Sequence, residues 1–215
     1  MIKNLKEKPA IRAPLAVKIL IPITGVLFAP AAYLRAAVST GLIEGTVSYL
    51  ESEEIILAFI ILTVAVFSKN KPGLFGGGLI VLSVFDSLMN GGRLIIILWL
   101  SARGRNSSVS FPFLILPLIL RVLAFAALFV ASFHFTARGE GINAGAKNTL
   151  SAVWTALFFS FCILDAVGAA RNLDGSPPHI KLLLIANVLG FISAALLGAC
   201  VGAYSVKTES DFSIK

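Results

Sequence analysis

The chain has 215 residues, of which 57% are hydrophobic and 13% charged, with a formal net charge of +7. A soluble domain carries about a quarter charged residues, so this chain lacks the polar groups to cover its apolar surface in water, and its composition demands lipid as solvent. Apolar residues fall in long blocks and do not alternate singly, which excludes a β-barrel; the Lys and Arg residues gather in the short polar stretches between blocks, where they act as topology signals and not as a nucleic-acid footprint.

The pattern predicts an all-α fold, a polytopic transmembrane helical bundle of about six spans, five being the alternative count. Its divisions are a basic cytoplasmic segment at 1–13, a transmembrane domain at 14–205 and a cytoplasmic tail at 206–215. The first span is expected at 14–34. The basic start followed by apolar residues also fits a signal peptide, and we read it as a retained span. Lys18 lies near the inner edge, where its ammonium can snorkel. The following stretch carries Glu44, Glu51, Glu53 and Glu54, read as a solvated outer loop with Glu53 and Glu54 favouring the next helix start.

The second segment, 55–68, is short for a span, since about 20 residues are needed to cross hydrocarbon. The third, at 73–101, holds Asp86 and Arg93 on one helix face, two turns or about 10 Å apart along the axis. Between them lies "MNGG", where a membrane helix is prone to kink or unwind. Two readings follow. Asp86 pairs with a basic residue of a neighbouring span such as Arg121 while Arg93 snorkels outward, or an unwound turn lines a substrate or ion site. Asn106 begins an "NSS" sequon in the next loop, expected outside and close to the membrane.

The fourth segment, 111–137, contains Arg121 after a long apolar run, with Asp86 or Asp165 as its natural partner. In the fifth, 149–170, Asp165 sits near the outer end, where interface solvation and Arg171 account for it. The two histidines, His134 near a span end and His179 in a loop after two prolines, lack the spacing of a metal or haem pair. Cys162 and Cys200 belong to no metal-type motif and are expected about 15 Å apart in depth, too far for a disulfide. No cofactor is expected.

The last segment, 181–204, carries Ala186, Gly190, Ala194, Gly198 and Gly202, each four residues after the one before. On a helix they make one smooth stripe against which another backbone can approach closely. Weaker pairs occur at Gly73 and Gly77 and at Ala127 and Ala131. Ten basic residues in the inner stretches against five in the outer ones place both termini in the cytoplasm. A partial match of "PLAVKIL" at 14–20 with "PLILRVL" at 117–123 does not extend to Asp86 and Asp165, so no internal repeat is expected.

The leading functional expectation is a non-catalytic membrane scaffold or assembly subunit that packs with itself or with partners through small-residue helix faces. Its partners would be membrane lipids and either further copies or a larger membrane complex, with no nucleic acid. The alternatives are a small transporter or channel using Asp86 and Arg93 at a broken third span, and a membrane-embedded enzyme. In the last case the 16 phenylalanines line a lipid or isoprenoid cavity and Asp86 is the acid.

Overall fold

The computed structural model describes residues 15–39, 60, 72–103, 115–136, 143–172 and 177–203. They form five long helices: α1 (Leu15–Ser39), α2 (Pro72–Ala102), α3 (Leu116–Thr136), α4 (Ala144–Asn172) and α5 (Pro177–Ala203). Among the described residues there is no strand. All five helices are long and apolar enough to cross a membrane, the pattern of a multi-pass membrane protein. Of the expected second span, only Ile60 is described; it is helical and rests against the core. The acidic stretch from Glu44 to Glu54, the Asn106 sequon and both terminal segments lie outside the described residues.

Local chemistry sets the helix ends. Asn143 caps α4, its side-chain oxygen accepting from the Ala146 N–H at 2.7 Å, so the helix starts ahead of the apolar block that marked it in sequence. α5 opens on Pro177 and Pro178, which suit a first turn because its N–H groups have no intrahelical partner. His179 therefore stands in the first turn of α5 and not in a loop. α2 stops at Arg103, whose N–H reaches the Trp99 and Leu100 carbonyls and whose guanidinium lies 3.9 Å from the Trp99 ring centroid. A cation there complements the negative end of the helix.

α2 is one continuous helix of 31 residues. The expectation that "MNGG" unwinds is therefore corrected: Gly91 and Gly92 remain helical, since in lipid an opened turn leaves backbone groups with no water to bond. The broken span on which the transport reading rested is absent. α1 likewise stays helical through Pro22 and Pro30.

The helices pack in the order α2, α3, α4, α5, α1, each against the next. Side-chain register gives their directions. Phe75 meets Phe135 and Asp86 meets Arg121, so α2 and α3 are antiparallel. Trp154 reaches Ala194 while Asp165 meets Asn187, so α4 and α5 are antiparallel too. Phe28 packs on Phe158 and Arg35 pairs with Asp165, which sets α1 parallel to α4. With Phe125 against Trp154 joining α3 to α4, α1, α2 and α4 run one way and α3 and α5 the other.

The core is aromatic. Phe28, Phe125, Trp154, Phe158 and Phe161 stack through successive edge-on or tilted contacts with centroids 4.9–6.0 Å apart. Such geometry sets the positive ring edge against the negative face and adds roughly 0.5–1.5 kcal/mol per pair beyond burial. These rings pack against one another in the bundle centre. Lipid-facing positions carry branched residues such as Leu88, Ile95, Val130 and Val188.

Candidate functional site

The buried face of α4 is written at alternating spacings of four and three: Lys147, Ser151, Trp154, Phe158, Phe161 and Asp165. That is a heptad seam, the pattern that keeps one helix face against its neighbours over many turns. Its lower half is polar in an unusual way, because three of its side chains donate to backbone carbonyls of α5. Lys147 Nζ donates to Gly202 O at 2.9 Å, Ser151 Oγ to Gly198 O at 2.5 Å and Trp154 Nε1 to Ala194 O at 3.1 Å. Helix carbonyls are normally screened by the side chains around them. Here Ala194, Gly198 and Gly202 have too little side chain to screen anything. The small-residue stripe thus works as a row of accessible acceptors and not only as a smooth surface. Interhelical hydrogen bonds in membranes average about 0.6 kcal/mol, so three in register contribute roughly 2 kcal/mol to docking α5 on α4.

The stripe is occupied by the chain's own helices. Ala186 and Ala194 are buried. A Cβ on Gly190 would meet Ala31 of α1 and Phe158 of α4 at 3.9 Å, and one on Gly198 would collide with the Thr155 hydroxyl. Ala127 and Ala131 are buried as well. At Gly73 and Gly77, by contrast, an added Cβ meets nothing within 4 Å among the described residues.

At the upper end of the seam two ionic clusters flank Phe161. In the first, Arg121 of α3 grips Asp86 of α2: Nε donates to Oδ1 at 2.9 Å and Oδ2 at 3.2 Å, and Nη2 to Oδ1 at 2.5 Å. Asp86 is 1% exposed and Arg121 4%. The two-pronged geometry suits a planar guanidinium and would be lost with lysine. Asn90, one turn along α2, donates its amide to the Asp86 carbonyl at 3.1 Å. Its Oδ1 and the Ser83 hydroxyl are buried with no hydrogen-bond partner among the described residues.

The second cluster lies one turn further along α4. Arg35 of α1 donates through Nη2 to Asn187 Oδ1 at 2.5 Å and stands 3.6 Å from the Asp165 carboxylate. Asn187 Nδ2 in turn donates to Asp165 Oδ2 at 3.0 Å. One amide therefore bridges the ion pair and ties α1, α4 and α5 at a single level. The Arg35 and Arg121 guanidinium carbons lie 4.8 Å and 5.4 Å from the Phe161 centroid, so one ring serves both cations.

Of the residues singled out in sequence, Asp86 and Arg121 come together, and Arg93 follows Asp86 on the same α2 face, half-buried. Asp165 is engaged by Arg35 and Asn187, Arg35 reaching into the bundle from α1. Lys147 is buried in α4. Asn187, Ser151 and Trp154 were not recognised in sequence. The seam spacing from Lys147 to Asp165 was the available signal, and it went unseen because a lysine and a serine do not read as core in a hydropathy scan. Cys162 and Cys200 are free thiols, both buried. Among the described residues no group of acidic, histidine and cysteine side chains has the arrangement of a metal site.

Fold and side chains define a helical membrane bundle closed by internal polar contacts. No family model, curated protein or solved structure matches the chain.

Proposed function

We propose that this protein is a non-catalytic integral membrane scaffold, an assembly subunit whose own helices are locked together so that one outer face can receive a partner helix. The observation that carries the reading is the engagement of the buried charges: Asp86 with Arg121, Asp165 with Arg35 and Asn187, and Lys147 with a backbone carbonyl of α5. Each contact joins different helices. A charged group inside the membrane is costly, and here the cost is offset by cross-links that fix the bundle.

Because the α5 stripe is covered within the chain, outward assembly falls to another surface. Gly73 and Gly77 of α2 keep the four-residue spacing of a helix-packing motif, and a Cβ added at either meets nothing within 4 Å among the described residues. That face would serve a second copy or a different membrane subunit.

Replacing Gly73 and Gly77 with Leu tests the reading, since the described residues leave room at both positions for the larger side chains. The double variant should lose the assembled species in mild detergent on native gels and size-exclusion chromatography, while Cys162 and Cys200 stay protected from maleimide. Unchanged assembly in a protected variant, or a wild type that is monomeric and partnerless in the bilayer, overturns the proposal.

A further inference from the structure

The lipid-facing side of α4 and α5 is not uniform. Along α1, α2 and α3 the exposed apolar positions are mostly Ile, Leu, Val and Phe, whereas near the start of α4 and the end of α5 the small residues Ala152, Ala156 and Ala199 are exposed, with the polar Asn148 beside them. Between them runs a shallow open groove of about 500 Å³, lined among others by Ser151, Thr155 and Gly198, with Phe159 and Phe191 at the other end of its α4 and α5 walls. We propose that this groove is a binding site for one membrane lipid, an acyl chain whose hydrogen-bonding glycerol head lies at Asn148.

Three observations favour that occupant. The hydroxyl part of the lining is chemically quiet: Ser151 Oγ donates to the Gly198 carbonyl and Thr155 Oγ1 to the Ser151 carbonyl at 3.0 Å, so both hydroxyl protons are already committed. Polarity is graded along the groove. The Asn148 carboxamide is exposed one turn inside the Gly145 end of the span, and the Phe159 and Phe191 rings, 4.5 Å apart by centroid, stand at the apolar end. Eleven helical residues separate Asn148 from Phe159, about 16 Å, close to the half-thickness of a hydrocarbon core of about 30 Å. A chain entering from the surface therefore fills the groove to its aromatic end. The volume falls in the usual range of small-molecule sites, about 300–1,000 Å³.

No titratable side chain lines the groove, so the site retains a lipid and does not transform it. The inference stands apart from the assembly reading, whose face is on α2.

The test uses the full chain in dioleoylphosphatidylcholine vesicles containing a trace of a monoacylglycerol with a diazirine in its acyl chain. Irradiation should concentrate the label on peptides spanning 148–159 and 191–199. Ala152→Phe with Ala156→Phe fills the groove from exposed positions and should lower that labelling about tenfold. Asn148→Leu should weaken labelling by the monoacylglycerol but not by diazirine-bearing hexadecane. Maleimide protection of Cys162 and Cys200 shows that each variant is folded, and Ala156→Phe alone serves where the double variant is not. Label spread evenly over the exposed faces of all helices, or unchanged in a folded groove-filling variant, overturns the proposal. So does a dimer in native mass spectra that these substitutions dissociate with no lipid bound.

Discussion

Removing the Asp86 carboxylate tests how far buried charge holds this bundle together. Three donor contacts from Arg121 end on that carboxylate, at 2.5, 2.9 and 3.2 Å, with both side chains nearly inaccessible. Hydrogen bonds to a charged group contribute about 1.5–3 kcal/mol each at most and are not additive. The larger effect of Asp86→Leu is to take this carboxylate away from the Arg121 guanidinium about one turn from the middle of its span, Phe125 being near that middle. Breaking a buried pair by removing one member costs roughly 3–5 kcal/mol, for Asp86→Leu and Arg121→Met alike. The double variant with Leu and Met removes both members of the pair and should recover most of the loss, giving a coupling energy of at least about 2 kcal/mol. The two buried thiols supply the assay: maleimide labelling of Cys162 and Cys200 against increasing sodium dodecyl sulfate reports opening of the bundle. A single variant within about 0.5 kcal/mol of wild type, or a double variant whose loss is the sum of the singles, would refute the reasoning.

Gly198→Ala should destabilise by about 1–3 kcal/mol by driving a methyl group into the Thr155 hydroxyl, and adding Thr155→Ala should restore much of it; Gly202→Ala, with ordinary 3.9 Å contacts, should be near neutral in the same titration. Ser83→Ala should be neutral or stabilising, because the Ser83 hydroxyl is buried with no partner among the described residues; a loss above about 1 kcal/mol would show a hidden partner. Asn187→Leu should cost about 1–2 kcal/mol by cutting the bridge between Arg35 and Asp165, and a cost below about 0.3 kcal/mol would mean that the direct ion pair suffices. In vesicles with brominated lipid, emission from Trp99 should be quenched strongly and that from Trp154 weakly, as measured in Trp154→Phe and Trp99→Phe, because Trp99 is 49% exposed and Trp154 fully buried.

What the sequence determined by itself was the solvent and the element type. Long apolar blocks interrupted by short basic stretches leave a chain no alternative to helices in lipid, because every backbone group must bond within its own segment. It also made Asp86 and Arg121 conspicuous, since a charge in such a block needs a partner. It did not say which groups meet. The Lys147 to Asp165 seam, the bridging of Asp165 to Arg35 by Asn187 and the covering of the α5 stripe by α1 and α4 depend on register between helices far apart in the chain. Register is decided by side-chain interlocking in three dimensions, where a glycine is an open acceptor only if a donor on the facing helix stands at its level. The same spacing of small residues therefore closes the fold at Gly198 and meets no neighbour within 4 Å among the described residues at Gly77.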